Sequence, residues 1–341
     1  MMTSEGATER EISLTGVAHE PAPKADLTCP ACGQVASNAV VERFGRYDCL
    51  ACGCGLHFWS PRKMPDARWY ERVYGQRNLK LLPLEPGHKY FLTDPAAPRG
   101  GKLLDVGCGT GNFLAAARAA GYEVSGIELD RDAARFAKDQ VGLQDIFPLA
   151  ILNFVQQYPG KTFDVVTFFE VLEHQAAPAA FLEGVRCCVR PRGYIALSVP
   201  NRERWLTAPD VLDYPPNHFL RWSVRALKSF LSAHGFEIVS VREQPAGLAH
   251  TAQMINMSFR TGFARSFGGE AGPSFQELIQ MKAEDISANV QLKPTAFQRV
   301  MQILHRIKYA SCFPAAVAIY PYVRTRGRKG TYLYCLGQRK D

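Results

Sequence analysis

Three glycines at alternate positions, Gly107, Gly109 and Gly111, follow the apolar run Leu103-Leu104-Asp105-Val106 and lead into an alanine-rich segment. A strand must turn sharply into a helix at this point. Such a turn can cradle a nucleotide. Without Cβ atoms the backbone around Gly107, Cys108, Gly109 and Gly111 can approach a ligand, and the free N–H groups of the helix start favour electron-rich atoms. The segment Tyr122 to Glu128 reads as a second strand ending in an acid. It lies about 20 residues beyond the loop, where a ribose hydroxyl pair needs an acceptor. Glu128 is the expected ribose ligand.

A second set of residues points to metal. Cys29-Pro30-Ala31-Cys32 and Cys49-Leu50-Ala51-Cys52 are Cys-x-x-Cys pairs separated by 16 residues, each followed by glycine. That spacing lets two tight turns present four thiolates tetrahedrally, as in a zinc ribbon. Val40 to Arg43 and Arg46 to Asp48 can form short strands between the turns. Cys54 and His57 are further candidates, either of which can replace Cys52, and reduced thiols without metal are the alternative reading. Four protein sulfurs leave no open position, so Cys29, Cys32, Cys49 and Cys52 should hold a structural Zn²⁺. It would staple a segment too short to form a core alone.

The elements that must position these residues follow from composition and periodicity. The chain has 341 residues, 47% hydrophobic and 21% charged, enough to bury a full core plus additions. No apolar run of membrane-spanning length occurs and the first 26 residues are polar, which points to a cytoplasmic protein. Ten cysteines would fit disulfides, but two Cys-x-x-Cys pairs plus scattered thiols fit metal better. Strands are expected near 102–106, 122–127, 163–169, 193–199, 235–242 and 331–336, alternating with helices near 111–120, 130–140 and 176–189. This alternation predicts an α/β fold with a doubly wound, mostly parallel sheet and a ligand at the carboxyl ends of its strands. The organisation expected is a flexible N-terminus (1–26), a zinc-ribbon-like knuckle (27–62), a helical linker (63–99), a nucleotide-binding core (100–243), a helical insertion capping the substrate (244–329), and a final strand with basic tail (330–341).

With these elements in place, the spacing Asp105-x-Gly107-x-Gly109-x-Gly111 resembles the first motif of the class I S-adenosylmethionine-dependent methyltransferases. Phe163 to His174 and Val189 to Asn201 are similar to the fourth and fifth strands of the branch containing the ubiquinone-biosynthesis O-methyltransferases. The resemblance implies a seven-stranded Rossmann-like sheet and S-adenosylmethionine as cofactor. It implies that Gly107, Cys108, Gly109 and Gly111 meet the methionyl part, that Asp105 accepts from its ammonium, and that Phe169 and Glu170 face it. For adenine, only Asn153 is offered after the third strand. Zinc-binding leaders similar to this one occur in some sugar C-methyltransferases and in one ribosomal-RNA methyltransferase group.

Methyl transfer from a sulfonium needs alignment, and needs a base only where the acceptor loses a proton. His174, directly after Glu173 beyond the fourth strand, and His218, in the loop Asp213-Tyr214-Pro215-Pro216-Asn217-His218, are the candidate bases. Capping and turn roles are their alternatives. Glu170, Glu173 and His174 stand at i, i+3 and i+4, one face if helical. The similar cluster of the ubiquinone-type enzymes is implicated in holding a divalent cation. Two runs at helical spacing, Phe275 to Ile286 and Phe297 to Ile307, predict the helical cap. Tyr309 to Val323 is apolar and followed by basic residues, so a core helix, an oligomer contact or peripheral contact with a membrane and a lipid-linked acceptor all fit. The expected function is methyl transfer to oxygen or carbon of a small acceptor such as a sugar or quinone-like intermediate. The net charge of +8 and the knuckle motivate one alternative, an RNA methyltransferase contacting nucleic acid, and a non-catalytic binding protein with a vestigial methyltransferase fold is the other.

Overall fold

The structure, a computed structural model, describes residues 26–36, 40–63, 79–204, 213–252, 255–256, 307, 309–326 and 330–341. The N-terminal segment holds strands β1 (Val40–Phe44), β2 (Tyr47–Ala51) and β3 (His57–Ser60), and helix α1 (Pro86–Thr93) follows. Then come β4 (Gly101–Val106), α2 (Asn112–Ala119), β5 (Tyr122–Ile127), α3 (Arg131–Asp139), β6 (Ile146–Phe147), α4 (Ile151–Gln157) and β7 (Phe163–Phe169). A short 3₁₀ turn (Leu172–His174) leads to α5 (Pro178–Cys188), β8 (Val189–Pro200), β9 (Leu220–Arg221), α6 (Val224–Ala233) and β10 (Phe236–Glu243). Helix α7 (Phe313–Arg326) and strand β11 (Tyr332–Arg339) complete the described elements.

Seven strands form one sheet in the order β10-β11-β8-β7-β4-β5-β6. It is parallel from β8 to β6 and antiparallel where β11 pairs with β8 and β10. This is the expected doubly wound, Rossmann-like methyltransferase fold. Central strands carry continuous apolar runs because helices cover both faces: β7 exposes none of its residues, and the last four of β4 are buried. Helix starts are written locally. The Asp130 carboxylate accepts from the N–H groups of Asp132 and Ala133 at the start of α3, and the Ser223 hydroxyl accepts from Ala226 N–H at the start of α6. Between β4 and β7 the chain order reverses, opening a crevice at their carboxyl ends.

Three strands, β3, β6 and β9, fall where the sequence pattern placed none. Strand β6 has two residues, too few to show a period. Strand β9 leaves the half of the chain that forms the seven-stranded sheet and completes a second sheet, β1-β2-β3-β9. The knuckle is therefore not a separate body. Phe58 and Trp59 share one continuous core with Phe219, Trp222 and Phe230.

Of the region expected as helical insertion, Phe275 to Ile286 and Phe297 to Leu304 lie outside the described residues, as does the N-terminus before Asp26. The segment Tyr309 to Val323 is helical where α7 runs, burying Cys312, Ala316 and Val323 while Val317, Ile319 and Tyr322 are exposed. Among the described residues no helix is long and apolar enough to cross a membrane.

Gly111 starts α2 with φ of 82°, and a Cβ there would lie 2.4 Å from Leu143 Cδ1. Gly111→Ala adds a left-handed backbone penalty of about 1–2 kcal/mol. In a domain this size it should lower the melting temperature by roughly 3–8 °C in a thermal scan.

Candidate active site and metal centre

The crevice is built by the β4–α2 turn. Gly107, Gly109 and Gly111 all have positive φ, and the N–H groups of Gly107 and Cys108 both donate to Ile127 O, at 2.8 and 3.1 Å. A Cβ on Gly107 would stand 2.7 Å from Val171 Cγ2, so the loop tolerates no side chain there. Glu128 is half-buried beside the loop, its Oε2 accepting from Gly109 N–H and its Oε1 from Asp130 N–H, each at 2.8 Å. One carboxylate thus shapes the turn and keeps lone pairs for a ligand. Asp105 accepts from Thr167 Oγ1–H at 2.6 Å, and burial pushes its pKa up to about 8 against that bond.

The resulting cavity of about 830 Å³ is lined at one end by Glu128, Leu129, Ala150 and Ile151 and at the other by Phe169, Glu170, His174 and Gln175. Asp105, Gly107, Cys108 and Gly109 line its middle. These residues suit a cationic ligand carrying a ribose. A Cβ on Gly107 would collide with Val171 at the cavity wall, Glu128 offers acceptors, and Asp105 is buried without a cationic side chain among the described residues. S-adenosylmethionine has these features, so the fit is good. Asn153 stands apart: it is exposed on α4, while Ala150 and Ile151 reach the cavity instead.

Two lining residues, Glu85 and His88, come from the segment read as a linker. Glu85 N–H donates to His88 Nδ1 at 3.1 Å at the start of α1. The His88 ring stacks on Phe113 and meets the edge of Phe169, both at 4.9 Å. Burial lowers the His88 pKa to about 4, so the ring is neutral with Nε2 carrying the proton. The segment between β3 and β4 carries no motif, and the local signal was Pro86 after Glu85 at a helix start.

At the mouth, Glu170 follows β7 with φ of 53°, unusual for a residue with a side chain. Its Oε1 accepts from Ser198 Oγ–H at 2.6 Å, and burial raises its pKa to about 8. Glu173 is fully buried, and neither of its oxygens has a hydrogen-bond partner among the described residues. Burial first, then the neighbouring Glu170, drives its pKa far upward. His174 Nδ1 donates to Asn217 O at 2.8 Å, and burial with His218 nearby lowers its pKa to about 3. His218 meets it edge-on, with ring centroids 4.6 Å apart. His218 Nδ1 lies 3.3 Å from Asp213 Oδ1, and Nε2 lies 4.0 Å from Glu173 Oε1. Asp213 is in turn paired with Arg204.

Glu173, His174 and His218 each bring a ligand-capable atom within 4.8 Å of the others. This corrects the divalent-cation set expected at Glu170, Glu173 and His174. Glu170 is turned to Ser198, and a 3₁₀ turn does not put i, i+3 and i+4 on one helical face. The third donor comes from a distant loop.

The knuckle needs a correction too. Cys29, Cys32, Cys52 and Cys54 bring their sulfurs within 4.8 Å of one another, whereas Cys49 is outside the cluster. Strand β2 continues to Ala51, so Cys49 faces Trp59 across the β2–β3 pair, fully buried, and burial raises its pKa to about 12. The turn comes afterwards, with Cys52 and Cys54 on either side of Gly53. The left-handed glycines are Gly33 and Gly55, each following the second cysteine of the observed pairs. Cys29 and Cys54 sulfurs are 3.7 Å apart, and Cys32 and Cys52 sulfurs 3.5 Å. A tetrahedron with Zn–S bonds of about 2.3 Å has edges of about 3.8 Å, so the donor set fits Zn²⁺. His57 is instead 3.2 Å from Arg202 through Nε2.

Glu128→Gln replaces an acceptor facing Gly109 N–H by an amide. Loss of charge-assisted bonds worth about 2 kcal/mol should weaken S-adenosylhomocysteine binding roughly thirtyfold by calorimetry. For the metal centre, Cys54→Ser should strip zinc from the purified protein while Cys49→Ser retains a full equivalent by elemental analysis. The reverse result restores the Cys49 ligand set.

Residues 76–241 match the family model described as a methyltransferase domain. The chain is similar to the ubiquinone biosynthesis O-methyltransferase of Thiobacillus denitrificans, 36% identical over 114 residues, covering 32% of this chain and 49% of that protein. It is also similar to the enzyme of the same name from Ralstonia nicotianae, 32% identical over 180 residues, covering 51% of this chain and 65% of that protein. The match thus spans about half to two thirds of these relatives' own length. Among solved structures, a SAM-dependent methyltransferase from Archaeoglobus fulgidus aligns with a TM-score of 0.42 and 16% identity, covering 74% of this chain and 89% of that one. Residues 76–241 are thus a class I S-adenosylmethionine-dependent methyltransferase domain.

Proposed function

We propose that this protein transfers the methyl group of S-adenosylmethionine to a hydroxyl oxygen or acidic carbon of a small biosynthetic intermediate, with His218 taking the acceptor's proton. The observation that carries this reading is the pairing of a cation-seeking crevice with a cluster of buried Glu173 and half-buried His174 and His218 beside its mouth. When bound, S-adenosylmethionine supplies an electrophilic methyl on a sulfonium. The chain's own residues do the rest. Gly107, Cys108, Gly109, Gly111 and Glu128 bind, Asp105 faces the ammonium, and Phe169 with Glu170 closes the crevice toward the acceptor side.

The two histidines divide the work. Asp213 accepts the Nδ1 proton of His218, which leaves the Nε2 lone pair free to accept a proton. His174 is held neutral by burial, and its Nδ1–H is spent on Asn217 O, so it orients rather than titrates. Glu173 is close enough to steady a charge that develops on His218. The relatives named for ubiquinone biosynthesis support a phenolic acceptor, and the knuckle supports a sugar. Both are small molecules carrying hydroxyl groups. The four clustered sulfurs hold a structural zinc ion in this reading.

One observation favours a second reading of the same cluster. The two orphaned oxygens of Glu173, together with both histidines, would also coordinate a divalent cation that acidifies the acceptor hydroxyl. Loss of activity on dialysis against EDTA, restored by Mg²⁺ or Mn²⁺, selects it over the base.

A screen of extracted metabolites for labelled methyl uptake identifies the acceptor. With that acceptor, His218→Ala should lower kcat by about a hundredfold, the usual share of a general base, while S-adenosylhomocysteine affinity stays within about threefold. If His218→Ala and His174→Ala both transfer at the wild-type rate, the cluster is not the site of chemistry.

A further inference from the structure

We infer that Ser223 and Arg225 are positioning residues that couple the cysteine centre to the loop carrying His218, so that metal at Cys29, Cys32, Cys52 and Cys54 sets acceptor-side geometry and not cofactor binding. The inference rests on the zinc reading of that centre.

The turn between Cys52 and Gly55 has two carbonyls gripped by the catalytic half of the chain. Gly53 O accepts from Arg225 Nη2 at 2.8 Å, and Gly55 O accepts from Ser223 Oγ at 2.9 Å. The same Ser223 oxygen caps α6 by accepting from Ala226 N–H at 3.1 Å, so one hydroxyl joins the metal turn to a helix start. The fit is close: a Cβ on Gly55 would meet Ser223 Oγ at 2.8 Å and Arg225 Nε at 3.2 Å.

From that anchor the coupling runs along backbone. Strand β3 pairs with β9 through His57 with Arg221 and Phe58 with Leu220, and Trp59 N–H donates to Phe219 O at 2.9 Å. Phe219 N–H donates on its other side to Glu173 O, also at 2.9 Å. Phe219 is therefore clamped between the knuckle and the Glu173 turn, and His218 is the residue before it. A further tie is Tyr214 Oη–H to Glu42 Oε1 at 2.7 Å. The hydrogen bonds from the knuckle to this face, Arg62 to Ala176 O included, land beside the acceptor cluster. The glycine loop and Glu128 are held separately, by Ile127 and Asp130.

Only two backbone bonds close the metal turn itself, Gly55 N–H to Cys52 O and Cys52 N–H to Leu56 O, both at 2.9 Å. A turn this short relies on its metal for its shape. Without the metal, its carbonyls lose their fixed positions, and the segment after β9 loses its ties through Ser223 and Arg225.

Hydrogen exchange on the full chain tests this, with zinc content measured in parallel. Removing zinc with a chelator should speed amide exchange across 213–223 by at least about tenfold while leaving 101–130 protected. S-adenosylhomocysteine should still bind within about threefold of the zinc-loaded protein. The double variant Ser223→Ala, Arg225→Ala should loosen 213–223 equally while keeping its zinc, and Arg225→Lys should restore most protection by donating to Gly53 O. A protein that contains no zinc and takes up none removes the metal reading beneath the inference. Unchanged exchange in 213–223 of the zinc-loaded double variant overturns the coupling by itself. Loss of S-adenosylhomocysteine binding on chelation overturns the claim that the effect is confined to the acceptor side.

Discussion

Four carboxyl groups line one crevice, Asp105 fully buried, Glu128 and Glu170 partly buried and Glu85 exposed, and none of them forms an ion pair with a described side chain. Burial raises the pKa of each, with Asp105 and Glu170 reaching about 8. Buried carboxyl groups without cationic partners are expensive unless protonated or matched by a ligand. Hydrogen bonds from Thr167, Gly109, Asp130 and Ser198 hold three of them, Asp105, Glu128 and Glu170, in place. That arrangement is a poor way to stabilise an isolated protein and a good way to receive a cation with a ribose attached. The parallel sheet serves it, because its strands all deliver their carboxyl ends to one edge.

The second sheet answers a different need. A segment of knuckle size cannot bury a core of its own. It gains one by borrowing β9 and by pressing Phe58 and Trp59 against Phe219 and Trp222. Arg221 lies over both Trp59 and Tyr214, with ring centroids 4.8 and 5.1 Å away, and pairs with Glu42. Aromatic packing and a partly buried charge pair therefore lie in one patch, directly under the loop that carries His218. The knuckle thus shares a sheet and a core with the segment carrying His218, and is not a separately packed leader.

Much of the catalytic half could be read from local chemistry. The Gly107–Gly111 turn, the acid at Glu128 and the continuous apolar runs of β4, β7 and β8 are properties of short segments, and the strands and helices formed where those patterns stand. Misreadings occurred where a residue's role depends on partners far along the chain. Cys49 has the right spacing for a ligand, but β2 runs two residues past it and turns its sulfur into the core. Glu170 has the right offset from His174, but a 3₁₀ turn with a left-handed residue before it points the carboxylate at Ser198.

By itself the sequence determined the strand–helix alternation, the glycine turn with Glu128 at the end of the next strand, the methyltransferase domain and the presence of a cysteine cluster, because each is encoded by periodicity or by close spacing. Tertiary structure alone decided which four cysteines meet, that His218 joins Glu173 and His174, that Glu85 and His88 line the crevice, and that β9 binds the knuckle to the acceptor loop. Those juxtapositions come from long-range strand pairing and core packing, which bring together residues whose separation along the chain carries no local signal.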